Sequence, residues 1–192
     1  MASAKQQRPP QAPPLFTATP ESLASDTQRL IERARALQDK TVNEVTTDSA
    51  SFKNTVLPIA QDDNHMALET HIVGFHQAVS TDAKLRDAST EAEKALDDFG
   101  IETAMREDVF RLVDAALNKK EPLDPESQRL LEKEHKGYIR MGLGVPAGAQ
   151  RDRFKEIKKR LSELSIVFQK NLNEEQGGLW FTTEELLSLI HI

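Results

Sequence analysis

At 192 residues, with 38% hydrophobic, 29% charged and only 5% aromatic side chains, the chain can bury a core, but one suited to charged amphipathic helices rather than a thick β-sandwich. A formal net charge of -6 disfavours a whole-chain role on nucleic acid or an anionic membrane, so neither partner is expected. The absence of cysteine excludes disulfides, thiolate zinc sites and a cysteine nucleophile, and no run reaches the roughly 18 apolar residues that cross a bilayer.

Five of the nine prolines fall within the first 20 residues, where Gln6, Gln7 and Gln11 accompany them. Residues 1–18 read as a polar, polyproline-prone leader that can bury almost nothing, and they are expected to be disordered. Met1 to Pro14 lacks the apolar core of a secretory signal. Together with the missing cysteines, this makes the cytoplasm the expected compartment.

Thr19-Pro20-Glu21 then combines a cap, a proline at the first helical position and an acid in the first turn. Leu23, Leu30, Ile31, Ala34 and Leu37 continue it at helical spacing. Thr46 to Ser51 reads as a loop. Ser51 is placed to cap a second helix through Phe52, Val56, Leu57 and Ile59, which Pro58 should kink or end. Asp62 or Asp63 would cap a third, through Met66, Leu68, Ile72, Val73, Phe75 and Val79.

From Thr81 to about Lys119 helix formers dominate without proline, which predicts one long helix or two joined at Gly100. Asp124-Pro125-Glu126 repeats the cap-proline-acid start, and Gly142 to Gly148 reads as the loop that follows. Phe154, Ile157, Leu161, Leu164 and Phe168, widened by Val167 and Leu172, make the clearest stripe of the chain. They predict a bundle helix with that face buried. Thr182, three residues before Glu185, is a capping box for a last helix.

None of the usual catalytic patterns is complete. The histidines are His65, His71, His76, His135 and His191, and no two of them have the four-residue spacing of H-E-x-x-H. Glu132 and His135 have an i, i+3 relation found in carboxylate-bridged sites, but a second such motif is missing. No G-x-S-x-G elbow is present. The glycine run from 142 to 148 follows a helix rather than a strand and lacks the G-K-[ST] ending of a phosphate loop. Arg151 to Arg160 holds six basic residues against two acids, yet Phe154 and Ile157 fall on its apolar side, so a solvated helix face is the expected role. No residue of the chain is put forward as catalytic, cofactor-binding or metal-ligating.

Several segments, in order, resemble the N-terminal region of the thimet oligopeptidase, neurolysin and saccharolysin family of zinc metallopeptidases. They are Thr19-Pro20-Glu21, Ala88-Ser89-Thr90-Glu91-Ala92-Glu93-Lys94 and Met105-Arg106-Glu107-Asp108-Val109-Phe110. Arg140-Met141-Gly142-Leu143 follows with Val145-Pro146, then Phe168-Gln169-Lys170-Asn171-Leu172-Asn173-Glu174 and Phe181-Thr182 with Glu184-Glu185-Leu186. Their order and spacing carry the specificity, and Gly178-Leu179-Trp180-Phe181 is most similar to fungal saccharolysin-like members.

The resemblance implies an all-α, multi-helix fold forming the N-terminal lobe of a two-lobed peptidase that flanks a deep channel. Zinc would lie on the channel floor, held by an H-E-x-x-H helix and a downstream glutamate, and the motif glutamate would activate water against the carbonyl of a short oligopeptide. This chain matches only the region before that motif, so zinc is expected in a longer parent and not in these residues. Residues 19–186 would form part of one channel wall, as a monomer, inactive alone. Leu187 to Ile192 breaks the resemblance, and its back-translation is compatible with CTG TCT CTT ATA CAC ATC, a transposase end sequence of sequencing libraries. Residues 187–192 are therefore expected to be an adapter-derived, non-native tail. The rival reading is a free-standing helical protein-interaction module whose apolar stripes close on themselves or on a partner helix.

Overall fold

The computed structural model describes residues 14–189, which are 78% helical, with seven α-helices and no strand among them. Most of the leader, together with Ile190, His191 and Ile192 of the expected tail, lies outside the described residues. Pro14 to Ala18 has no regular structure, and the Phe16 ring stands 5.7 Å from that of Phe75.

Helix α1, Pro20–Glu44, starts where its cap predicts: the Ser22 N–H donates to Thr19 Oγ1 at 3.2 Å and the Thr19 N–H to Ser22 Oγ at 2.9 Å. Its buried residues, Leu23, Thr27, Leu30, Ala34, Gln38 and Thr41, recur every three or four positions and so share one face.

Ser51 also caps as expected, its Oγ accepting from the Asn54 N–H at 3.3 Å, but what it opens is a wide π-type turn over Phe52–Val56. That turn runs directly into α2, Leu57–Val79. Two expectations fail here. Pro58 does not end the helix, because it stands in the first turn of α2, directly after the π-type turn, where a missing N–H costs little. Asp62 and Asp63 cap nothing and lie inside α2.

Helix α3 spans Ala83–Ala104, with Asp82 accepting from the Lys84 N–H at 2.9 Å, and α4 spans Glu107–Asn118. The break between them falls at Met105-Arg106, not at Gly100, which is helical. Extended Arg106 turns the chain, and its guanidinium is held by Asp108 and by Asp39 of α1.

Asp124 caps α5, Pro125–Tyr138, by accepting from the Glu126 and Ser127 N–H groups, each at 3.0 Å. A second π-type turn, Ile139–Leu143, is kinked at Gly142, whose φ of +112° and close approach to the Phe154 ring leave no comfortable place for a side chain. Helix α6 is Ala149–Asn173 and α7 is Thr183–Leu189, opened by the expected capping box between Thr182 and Glu185.

Two apolar clusters hold these elements. One gathers Leu23, Leu30, Ala34, Met66, Val73 and Ala92 from α1, α2 and α3. The other gathers Phe52, Val56, Val109, Leu112, Val113 and Leu131 from the first π-turn, α4 and α5.

Helix α6 stands apart energetically. Its expected buried face is open: Leu161 is 55%, Leu164 48% and Phe168 64% exposed, and Ile157, Val167 and Leu172 are exposed as well. Its one buried side chain among the described residues is Ile166, which lies off that stripe. The helix is tied to α3 and its vicinity by charged pairs, Lys159–Asp98 at 3.6 Å, Lys170–Asp87 at 2.6 Å and Arg86–Glu174 at 2.7 Å. Pairs of this exposed kind contribute little each. The 3.6-residue period is therefore real, but no element of the described residues covers that face.

Candidate functional site

Between α1, α2, α3 and α5 lies a cleft of about 380 Å³. Leu30, Ile31, Met66, Leu96, Phe99 and Met141 give it apolar walls, and Gln38, Asp63, Glu134 and Tyr138 supply its polar atoms. Each comes from the local pattern of its own helix. Gln38 occupies a core position of the α1 stripe, and Glu134 stands one turn before Tyr138 on α5.

The electrostatics of the cleft are one-sided. Burial, then repulsion from Asp62, raises the pKa of Asp63 above the ordinary carboxylate value. Burial, then Asp63 itself, raises Glu134. Burial followed by these two acids raises the Tyr138 phenol. Both residues are nonetheless exposed in part. That exposure governs their access to a ligand, while the surrounding helices set the direction of the shift.

A stability consequence follows. A carboxyl whose folded pKa is raised holds its proton more tightly in the folded state, so its contribution is favourable at low pH and declines as pH rises past the ordinary value of 3.8 for Asp63. Asp63→Asn is expected to raise the melting temperature at pH 7 relative to the parent and to lose that advantage at pH 3. Equal differences at the two pH values would show that the Asp63 charge is not the cause.

None of the histidines among the described residues lines the cleft. His135 Nε2 lies 2.9 Å from Asp114 while Glu132 accepts from Gln128 at 2.8 Å, so the i, i+3 pair does not converge on a common point. His71 Nδ1 lies 2.5 Å from the Ala67 carbonyl oxygen, and His76 is buried with Nε2 lacking a partner. The basic run of α6 is largely neutralised: Arg151 pairs with Glu107, Arg153 with Glu156 and Arg160 with Glu163. It is a solvated face, as its sequence suggested.

No protein-family model matches the chain. Individual relatives do. It is 38% identical over 181 residues to the oligopeptidase PhomG' of Diaporthe leptostromiformis and 34% identical over 181 residues to saccharolysin of Saccharomyces cerevisiae, each alignment covering 92% of this chain. A probable thimet oligopeptidase of Arabidopsis thaliana is 30% identical over 162 residues, 84% of this chain.

The chain is related in sequence to the thimet oligopeptidase and saccharolysin family.

It spans only 15%, 25% and 22% of the length of these three relatives. Zinc, the metal that the resemblance implies, does not fit the residues present: among the described residues no three histidine or acidic side chains come together as a metal-holding group. No step of metal chemistry is assigned to this chain. No helix of the described residues is long and apolar enough to cross a membrane. The cleft residues escaped sequence reading because Gln38, Asp63 and Glu134 lie on three helices far apart in the chain. The one available signal was local, a glutamate one turn from a tyrosine on an otherwise polar helix.

Proposed function

We propose that residues 19–186 form the N-terminal helical region of a zinc metalloendopeptidase that hydrolyses short oligopeptides, contributing one wall of the peptide channel. The observation that carries this reading is the pairing of 34–38% identity over 92% of the chain with coverage of 15–25% of each relative. The zinc ligands and the water-activating glutamate are then supplied by residues outside these 192, in a monomeric cytoplasmic enzyme, and this stretch alone is inactive.

The open stripe on α6 supports the same reading. A monomer seldom leaves so continuous an apolar face to water, so this face belongs against further polypeptide. The same stripe is also what favours the rival, an interaction module that buries it on a separate partner.

Two measurements separate the readings. Incubated with an internally quenched oligopeptide and zinc, the purified chain is expected to release no fluorescence, and chelator-sensitive turnover would overturn the assignment. An apolar dye is expected to bind it strongly, and Leu164→Glu with Phe168→Glu is expected to remove most of that signal. Monodisperse, dye-silent protein would favour a module whose stripes close on themselves.

A further inference from the structure

Helix α6 has two opposite faces of opposite chemistry. Lys159, Ile166 and Lys170 recur at helical spacing and share the face turned to α3, where Lys159 pairs with Asp98, Lys170 pairs with Asp87 and Ile166 is buried. Half a turn away, Ile157, Leu161, Leu164, Phe168 and Leu172 form the open stripe. Beyond α6 the chain runs without regular structure through Leu179 and Trp180, 85% and 96% exposed, to Phe181, which is exposed as well. Together these apolar side chains present roughly 1,000 Å² per chain, against the ~800 Å² that each partner contributes to an interface of standard size.

The stripe is its own complement when reversed. Leu164 stands near its middle, and turning the helix end for end about that residue sets Ile157 against the position of Leu172 and Leu161 against that of Phe168. Steps of three and four residues let such side chains interdigitate between antiparallel helices. Charge follows the same reversal. From Arg151 to Arg160 stand six basic residues against two acids, whereas residues 171–189 carry four acids, Glu174, Glu175, Glu184 and Glu185, and no base. Some of these charges are already paired within the chain, as Arg151 is with Glu107 and Glu174 with Arg86. Lys155 and Glu175 have no ion pair among the described residues, and the reversal brings them side by side. A parallel pair would set base against base instead.

We propose that this face binds a second copy of the same chain, as an antiparallel, two-fold symmetric pair of α6 helices. A self-complementary patch closes on itself in one dimer and leaves no open end for further growth. Leu179, Trp180 and Phe181 follow the end of each helix and come alongside the start of the other, so their area adds to that of the stripe. The proposal concerns the chain by itself and does not rest on the peptidase reading. In a longer parent, further polypeptide takes the same face and no dimer is expected.

Sedimentation equilibrium of the intact chain is expected to show monomer and dimer in exchange, with a dissociation constant in the micromolar range and no larger species. In dilute solution the stripe is open, so the signal of an apolar dye per chain should fall as dimers form. Leu164→Glu with Phe168→Glu should hold the chain monomeric at every concentration with its helix content retained. Lys155→Glu should weaken the dimer about tenfold, because the pair occurs twice across the two-fold axis, and adding Glu175→Lys should restore it. A chain that stays monomeric throughout the micromolar range, an open-ended series of oligomers, or a dimer indifferent to the stripe substitutions would overturn the proposal. So would a Lys155→Glu dimer of unchanged strength, or one that Glu175→Lys does not rescue. None of these results bears on peptide turnover, so the peptidase reading would stand or fall separately.

Discussion

Leu131→Ala is expected to lower the stability of the folded chain by about 3 kcal/mol. Leu131 is 2% exposed and sits in the cluster that joins α4 and α5 to the first π-turn, beside Val109, Leu112 and Val113. Removing three carbons there forfeits their transfer free energy and leaves a cavity that helices on either side cannot easily close. The loss should appear as a fall in melting temperature of roughly 6–12 °C, taking about 2–4 °C per kcal/mol for a chain of this size. An unfolding midpoint within a degree of the parent would mean that this cluster does not hold the fold. The same substitution at Leu161 or Leu164 of α6 should cost far less, because those side chains are about half exposed.

Ser89→Ala is expected to cost about 2 kcal/mol, through a polar rather than an apolar loss. Ser89 is fully buried on α3, and its hydroxyl works on the neighbouring helix. Its Oγ accepts from the Gln77 N–H at 3.0 Å and donates to the Val73 carbonyl at 2.5 Å. Those two backbone groups are four residues apart and would otherwise pair within α2. The hydroxyl therefore keys α3 into α2 while keeping both groups satisfied, and alanine would leave them to re-pair across an empty site. Denaturant melts would give the cost, and faster hydrogen exchange at the Gln77 amide would locate it. Unchanged stability with an unchanged Gln77 amide would show that the intrahelical bond simply re-forms.

Much of the secondary structure was legible because helix starts are local events. Thr19, Ser51, Asp124 and Thr182 each cap a turn within three residues of themselves, so the chemistry that starts a helix is written next to it. The errors came where a local signal has more than one outcome. A proline in a first turn and a proline in a helix interior look alike in sequence, which is why Pro58 misled. Gly100 weakens a helix without ending it, and the real break at Arg106 is set by ion pairs to Asp39 and Asp108.

By itself, then, the sequence determined the all-α class, the helix starts, the absence of a complete catalytic motif and the family relationship. Each of these depends on residue types at short spacing or on their order along the chain. Tertiary structure decided the rest. A period of 3.6 marks the face of α6 that is apolar, but only packing decides whether that face is covered, and here the stripe is turned to solvent. The cleft likewise depends on three helices bringing Gln38, Asp63 and Glu134 together. No spacing within any one of them encodes that meeting, because a cavity is a property of how helices cross and not of the pattern along each.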